Sequence, residues 1–340
     1  MKKIFIRADA NEIIACGHIM RTSAVASALK KLNAEPIFIT ADNKSSAFIK
    51  EYENIILNTA YNDLNTEITA ICELLASNKN SVILIDSYFI NPLYLSEISK
   101  FSKIAYIDDI CAFAYDVDLL INYSAFLDFA SYKTTQNKAK NYLLGSAYAP
   151  LRAEFSHKIS KTPKTSTTPK KALITTGGAD RLNLTYNLLN AIKNDQALMR
   201  LEYEIIIGAY NQHKEKILKL CQKYENFKPY ENVSNMASFM NNADIAICAG
   251  GSTLYELAAL YLPCICFKIV SNQQDAPKWG EAKALLYAGD AQNKQSINQA
   301  LNHLKFLLEK PEYAQKIAKN AHKFVDGNGA MRIAKALLSL

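Results

Sequence analysis

Short apolar runs alternate with longer amphipathic stretches along the whole chain. The runs are rich in Ile, Val, Leu and Tyr, and the stretches between them carry apolar residues at helical spacing. Such alternation is typical of βαβ units, in which helices cover both faces of a parallel sheet. The predicted strands are residues 4–7, 36–40, 55–57, 82–86, 104–107, 119–121, 142–144, 172–176, 203–207, 244–248 and 265–270.

Residues 157–171 interrupt this pattern, because the segment has almost no apolar residues and is rich in Lys, Ser, Thr and Pro. We interpret it as a linker, and a chain of 340 residues is long enough for two domains. The prediction is an α/β protein with an N-terminal Rossmann-like domain at 1–156 and a C-terminal one at 172–340. Three helical segments close the second domain, and the two domains are expected to face each other across a cleft. Ligands of such sheets bind beyond the carboxyl ends of the strands.

The composition narrows the range of functions. A formal net charge of +7 is only mildly basic and favours a small acidic ligand over nucleic acid. Seven cysteines without a Cys-x-x-Cys pair indicate reduced thiols, and Cys264 and Cys266 lack a neighbouring His or acid that would complete a metal site. Neither a signal peptide nor an apolar run of ~20 residues is evident. We therefore expect a soluble, cytoplasmic protein without a membrane span, a cofactor or a metal.

Glycines mark three places where a predicted strand gives way to a helix. Gly250 and Gly251 precede Ser252 and Thr253, a second pair, Gly177 and Gly178, precedes Asp180, and Gly17 precedes His18. Glycine lets a ligand approach the backbone closely, and the N–H groups of a first helical turn face an anion. The junctions therefore predict a diphosphate-type ligand held between two domains. The alternative at the first junction is a capping box, Thr253-x-x-Glu256, without any ligand.

His18 is the strongest candidate for chemistry, because it stands at the expected start of a helix. A neutral imidazole there could accept a proton from water, and the alternative is a histidine that only caps the helix or contacts a phosphate. Asp86 with Tyr88, and Asp108 with Asp109, follow predicted strands and could touch a sugar or serve as turn and cap residues.

The amides of Asn272 and Gln273 follow the last predicted strand. They suit sugar hydroxyls or acetamido groups, and the alternative is a solvated loop.

A series of short motifs runs through nearly the whole chain in order. They are Arg7-Ala8-Asp9-Ala10, Gly17-His18-Ile19-Met20-Arg21, Ile85-Asp86-x-Tyr88, Ile107-Asp108-Asp109, Leu120-Ile121-Asn122, Gly145-x-x-Tyr148-Ala149-Pro150-Leu151-Arg152, Gly177-Gly178-Ala179-Asp180, Ala249-Gly250-Gly251-Ser252-Thr253-x-x-Glu256, Asn272-Gln273 and Asp326-Gly327-x-Gly329-Ala330. As a set, they resemble the pseudaminic acid biosynthesis family of UDP-2,4-diacetamido-2,4,6-trideoxy-β-L-altropyranose hydrolases.

The resemblance implies a fold similar to that of GT-B glycosyltransferases, and a UDP-sugar held mainly by the C-terminal domain. It implies Glu256 on the ribose, the turn 251–253 on the diphosphate, His18 as the base or water-orienting group, and Tyr88 and Asn272 lining the sugar pocket. Together with the glycine junctions, this gives a predicted substrate-binding set of Gly17, Arg21, Tyr88, Gly177, Gly178, Asp180, Gly251, Ser252, Thr253, Glu256, Asn272 and Gln273.

The sequence departs from the family at one position of the catalytic loop. The family's Gly-x-Gly-His is Ala15-Cys16-Gly17-His18 here. If the first position requires a positive φ, the loop conformation must differ in this chain. A GT-B glycosyltransferase acting on a UDP-amino sugar, or a sugar-nucleotide-binding protein without activity, are the alternatives that remain.

Overall fold

The computed structural model describes residues 1–156 and 169–340. The chain divides into two compact units, which we describe separately: the first unit is Met1–Ala153 with Gly327–Leu340, and the second unit is Glu154–Asp326. Most of the predicted linker, residues 157–168, lies outside the described residues. Each unit contains one parallel sheet, and helices connect most of its consecutive strands, as the alternation of apolar runs predicts.

The first unit forms its sheet from seven strands, whose central members are almost wholly apolar and buried. Every residue of the Val82–Asp86 strand is buried, as expected for a strand covered on both faces. The elements, in chain order, are β1 (Lys3–Ala8), α1 (Gly17–Lys31), β2 (Glu35–Thr40), β3 (Glu53–Ile56), α2 (Ile68–Ala76), β4 (Val82–Asp86), α3 (Pro92–Ile98), β5 (Lys103–Ile107), β6 (Leu119–Asn122), α4 (Phe129–Thr135) and β7 (Asn141–Leu144).

The second unit forms a six-stranded sheet around its own apolar core. Its elements are β8 (Lys171–Thr175), α5 (Leu184–Ile192), β9 (Glu202–Ile207), α6 (Lys214–Cys221), β10 (Phe227–Glu231), α7 (Met236–Asn242), β11 (Ile245–Ala249), α8 (Thr253–Ala259), β12 (Cys264–Lys268), α9 (Asp275–Glu281), β13 (Leu286–Asp290), α10 (Gln295–Glu309) and α11 (Pro311–His322).

In each sheet, successive strands are added first on one side of the first strand and then on its other side. The strand orders are β3-β2-β1-β4-β5-β6-β7 and β10-β9-β8-β11-β12-β13, so the reversal lies between β1 and β4 in the first unit and between β8 and β11 in the second. In the first unit Ala8 of β1 is the register partner of Asp86 in β4. The loops after these strands diverge at such a point and leave a crevice for a ligand.

The sequence analysis missed β10, α9 and β13. Pro229 lies in the middle of β10, and proline opposes a strand assignment because it has no N–H to donate. The structure accommodates it because β10 is an edge strand. β13 is the other edge strand, and Gly289 within it adopts a positive φ of 102° where the register with β12 shifts.

The last helix, α12 (Gly329–Leu338), belongs to the first unit, although the sequence analysis assigned everything after 172 to the second domain. α12 packs against α1, and Arg332 donates a hydrogen bond to the Ala147 carbonyl at 2.7 Å. Gly329 is required at its start, because a Cβ there would lie 2.1 Å from the Ala149 carbonyl oxygen. The Asp326-to-Ala330 motif is therefore the place where the chain returns to the first unit.

Within the described residues, no helix combines the length and apolar character needed to cross a membrane.

Candidate functional site

His18 lies at the switch point of the first unit, in the first turn of α1. It is 3% exposed, and its Nδ1 lies 2.6 Å from the Asp86 Oδ1. The two residues are 68 positions apart in sequence. They meet because β1 and β4 are adjacent parallel strands, so the helix that follows β1 begins beside the end of β4.

Arg21, one turn later on α1, joins His18 to two carboxylates. Its Nε and Nη2 donate to both oxygens of Asp86 at 2.5 Å each, and its Nη1 donates to Asp109 and to the Tyr123 hydroxyl at 2.6 Å each. Protein groups thus engage all three guanidinium nitrogens. Here Arg21 acts as a clamp on the carboxylates, and its predicted contact with substrate stays a prediction.

Asp86 is held in its ionised form. Burial by itself would raise the pKa of this carboxyl, but the positive charge of Arg21 and the hydrogen bonds from Arg21 and His18 hold that pKa well below its usual range. A fixed negative charge therefore lies against the Nδ1 side of the imidazole.

Tyr88 packs its ring against His18. The ring centroids are 4.4 Å apart and nearly perpendicular, and the Tyr88 hydroxyl donates to Asp109 at 3.3 Å. Burial, followed by the nearby charge of Asp109, raises the pKa of Tyr88, so its hydroxyl remains a donor. Asp109 is 20% exposed, which makes it the more accessible of the two carboxylates that Arg21 clamps.

Of the predicted site residues in the first unit, the structure brings together His18, Arg21 and Tyr88. The sequence analysis considered Asp86 and Asp109 as turn residues or sugar contacts, with Asp86 as a catalytic candidate after His18, and it missed Tyr123. The signal that could have found Tyr123 is its place directly after β6, beside the end of β5. Asp108, by contrast, accepts hydrogen bonds from the backbone N–H groups of Ile110 and Cys111 at 3.0 and 2.8 Å, so it serves the turn.

The loop before His18 has a left-handed residue, Ala15, at the position where the sequence departs from the motif that it resembles. Ala15 has a φ of 57°, and its carbonyl accepts a hydrogen bond from the Asn11 N–H at 3.3 Å. The sequence analysis expected a different loop if this position needs a positive φ. Instead, alanine itself adopts the positive φ, a conformation that costs an L-residue about 1–2 kcal/mol.

The second unit places Gly177 and Gly178 after β8, at the corresponding switch point. Gly177 has a φ of 91° and is exposed. The sequence analysis missed Gly208, which follows β9: a Cβ there would lie 2.4 Å from the carbonyl oxygens of both Gly177 and Gly178. Three glycines therefore let two loops meet backbone to backbone.

Asp180, predicted to bind substrate, has an observed structural use. Its carboxylate accepts hydrogen bonds from the N–H groups of Leu184 and Thr185 at 2.8 and 3.0 Å, and it is 3% exposed. It therefore caps the N-terminus of α5. Its role as a ligand stays a prediction.

Gly250 and Gly251 follow β11, the strand on the other side of the switch point. A Cβ on Gly250 would lie 2.7 Å from the Ala276 Cβ, so glycine permits the close packing of this turn against α9. A Cβ on Gly251 would lie 3.7 Å from the Gln273 side-chain nitrogen, whereas the Gln273 side-chain oxygen accepts a hydrogen bond from the Ile269 N–H at 2.7 Å. Gln273 thus stabilises its own loop beside the glycine turn. Asn272, the residue before it, is exposed.

The Thr-x-x-Glu spacing does not form a capping box. The N-cap of α8 is Ser252, whose side chain makes no capping hydrogen bond, and Thr253 is already inside the helix. The Glu256 N–H follows the helical pattern and donates to the Ser252 carbonyl at 3.4 Å. The structural alternative weighed for this motif is therefore wrong, and Glu256 is half-buried in the first turn of α8.

The structure also bears on metal-ligand geometry. In residues 1–156 and 169–340, no group of three or more His, Cys, Asp or Glu side chains is arranged to hold a metal ion. Cys264 and Cys266 are buried in β12, and burial raises the pKa of Cys266.

Three comparisons place these features among known proteins. Residues 172–337 match the glycosyltransferase family 28 C-terminal domain. In solved structures, S. aureus MnaA with UDP has a TM-score of 0.68 at 16% identity, covering 100% of this chain and 98% of that one. Acinetobacter baumannii MurG has a TM-score of 0.66 at 13% identity, covering 100% of both chains. The chain has the GT-B fold.

Curated relatives of this GT-B protein are distant. The uncharacterized protein MJ1062 of Methanocaldococcus jannaschii is 26% identical over 276 residues, which are 77% of this chain and 55% of that protein. The spore coat polysaccharide biosynthesis protein SpsG of Bacillus subtilis is 25% identical over 172 residues, half of each chain. This chain thus spans about half the length of these two relatives.

A further relative is the UDP-2,4-diacetamido-2,4,6-trideoxy-β-L-altropyranose hydrolase of Campylobacter jejuni. It is 23% identical over 283 residues, which are 82% of this chain and 95% of that protein. The match therefore extends over both units of the GT-B fold.

Proposed function

We propose that this protein hydrolyses a UDP-sugar to free sugar and UDP, with His18 as the base. The observation that carries the proposal is the contact of His18 with a buried, ionised Asp86 at the switch point of the first unit. A histidine that only contacted phosphate would need no carboxylate behind its ring. A histidine that takes up a proton is stabilised by one.

The second unit would bind the nucleotide. Its glycine turns at Gly177–Gly178 and Gly250–Gly251 both lie at its switch point, where sheets of this kind bind phosphates. A solved structure of the same fold, S. aureus MnaA, contains UDP, and this supports the assignment. Glu256 would accept hydrogen bonds from the ribose hydroxyls, and Asn272 and Gln273 would contact the sugar.

The reaction needs one bond made and one broken. The oxygen of water bonds to the anomeric carbon, the bond from that carbon to the diphosphate oxygen breaks, and UDP leaves with the electron pair. His18 takes the proton from the attacking water and later releases it to solvent. UDP is a good leaving group, so backbone amides that stabilise its developing charge contribute more than an acid that protonates it.

The substrate we propose is UDP-2,4-diacetamido-2,4,6-trideoxy-β-L-altropyranose. The relative from Campylobacter jejuni carries this name as a hydrolase and aligns over nearly its whole length. The free diacetamido sugar would then enter pseudaminic acid synthesis for surface or flagellar glycans. Tyr88 would line the sugar pocket, since its ring contacts His18.

A glycosyltransferase is the second candidate. The match of residues 172–337 to the glycosyltransferase family 28 C-terminal domain favours it. Such an enzyme would use the same nucleotide site and pass the sugar to an acceptor hydroxyl instead of water. A binding protein without activity would use the site for recognition alone.

One assay separates the three functions. Release of UDP from the UDP-diacetamido sugar is measured without any acceptor, with UDP-N-acetylglucosamine as the matched control nucleotide sugar and His18→Gln as the control protein. A hydrolase releases UDP from the diacetamido substrate in a manner that depends on His18. Binding of the substrate without UDP release contradicts hydrolysis, and release that appears only after an acceptor is added identifies a transferase.

A further inference from the structure

A buried carboxylate outside the predicted site set touches the proposed base. Asp86 is 1% exposed, ends β4 and contacts the Nδ1 side of His18. We infer that Asp86 is a positioning residue that fixes the Nδ1–H tautomer of His18, so that Nε2 is the nitrogen that accepts the proton from water. The catalytic consequence rests on the proposed function, whereas the tautomer is a property of the folded chain.

The distance between Asp86 and His18 distinguishes the two neutral tautomers. The Nδ1 and Oδ1 atoms are 2.6 Å apart, which is a hydrogen-bond distance only if a proton lies between them. A carboxylate oxygen is an acceptor alone, so the proton must belong to Nδ1. The other neighbour of Nδ1, the Arg21 Nη2 at 3.3 Å, is a donor alone and cannot accept that proton.

Arg21 keeps the carboxylate from turning away. It bonds both Asp86 oxygens, which fixes the plane of the carboxylate, and its Nη1 is tied in turn to Asp109 and Tyr123. Because Arg21 and His18 are three residues apart on α1, their side chains lie on the same face of the helix and keep a fixed position relative to each other. The same clamp keeps Asp86 charged, which the low pKa of its carboxyl reflects.

Asp86→Asn removes the carboxylate that fixes the His18 tautomer and leaves the side chain almost the same shape. The amide nitrogen would replace either Oδ2, where it would meet the Arg21 Nε donor, or Oδ1, where it would meet the Arg21 Nη2 donor and could donate to His18 Nδ1. The second arrangement places the proton of His18 on Nε2 and leaves no lone pair there for water. We expect kcat to fall roughly 10²–10⁴-fold, as when a positioned base is lost, with a much smaller change in KM.

The decisive measurement is the tautomer of His18 in the full chain. Histidine labelled with ¹⁵N gives distinct couplings for Nδ1–H and Nε2–H forms, and the His18 signal is assigned by its loss in His18→Gln. We expect the Nδ1–H form alone in the wild type and a populated Nε2–H form in Asp86→Asn. An Nε2–H form in the wild type, or an unchanged tautomer in the variant, overturns the inference.

Asp108→Asn is the matched control. Asp108 is fully buried, directly follows the neighbouring strand β5, and accepts hydrogen bonds from the Ile110 and Cys111 N–H groups and from the Tyr115 and Tyr132 hydroxyls. We expect it to keep the wild-type tautomer and a kcat within a few-fold of the wild type. Equal losses in both variants indicate general damage and overturn the positioning role. If the wild type releases no UDP at all, the proposed function fails, and the tautomer measurement still decides the role of Asp86.

Discussion

Replacing Ala15 with glycine tests whether the loop before His18 stores strain. Ala15 holds a φ of 57°, which costs an alanine about 1–2 kcal/mol relative to glycine. Part of the stability gained by relieving this strain is lost again, because ordering a glycine on folding costs about 0.5–1 kcal/mol more in conformational entropy than ordering an alanine. The difference predicts that Ala15→Gly raises the free energy of unfolding by about 0.5–1 kcal/mol.

The assay is urea unfolding of the full chain followed by circular dichroism, with each transition fitted separately if the two units unfold apart. The control is Ala70→Gly, an exposed position within α2 of the same unit, where glycine should lower the free energy of unfolding by about 0.5–1 kcal/mol. The two substitutions are chemically identical. Opposite signs therefore report the backbone conformation at each site.

A destabilised Ala15→Gly variant would refute this reasoning. It would mean that the methyl group of Ala15 contributes more through packing than its left-handed conformation costs. The activity of the variant carries a second piece of information, because the loop leads into Gly17 and His18. We expect UDP release to stay within a few-fold of the wild type, since glycine can adopt the conformation that alanine already holds.

Four further outcomes are expected. Glu256→Ala should weaken the binding of UDP by roughly 1–3 kcal/mol in calorimetry and change turnover at saturation much less, because a ribose contact is remote from the bond that breaks; unchanged affinity for UDP would exclude this contact. His18→Ala should keep UDP binding and lose turnover roughly 10²–10⁴-fold, and a folded variant with wild-type turnover would remove His18 from the mechanism. EDTA should leave UDP release unchanged, because backbone amides are proposed to bind the diphosphate; a loss that Mg²⁺ or Mn²⁺ restores would contradict this. Asp86 has a lowered pKa in the folded state, so the stability that its charge gives the fold is complete above the ordinary carboxyl pKa of about 4 and declines as the pH falls through the lowered value. The difference in urea midpoint between the wild type and Asp86→Asn should therefore narrow below about pH 4. A difference that stays constant with pH would refute this.

The pattern of the sequence was sufficient to predict the architecture. Buried parallel strands need apolar side chains on both faces, so they appear as continuous runs that local inspection finds. All eleven predicted strands are present. The two missed strands, β10 and β13, are edge strands. Pro229 is tolerated in β10 because one side of the strand has no partner, and Gly289 lies where the register of β13 with β12 shifts.

The sequence also indicated where a ligand would bind, because glycines at the ends of strands are local signals. It could not decide between a capping box and an open helix start at Ser252–Glu256, since both use the same residues. The helix boundary decided that question: α8 begins with Ser252 as its N-cap, one residue earlier than the box requires.

Only the tertiary structure decided the partners of His18. Asp86 lies 68 residues from His18, and Asp109, which bonds Arg21, follows the next strand of the sheet, so no spacing rule connects these carboxylates to α1. The order of the sheet does so, because it places β4 beside β1. The return of α12 to the first unit was equally beyond local inspection, since an amphipathic helix shows that it has a buried face but not which unit covers it. Contacts between distant segments depend on which strands pair, and pairing is a property of the whole fold.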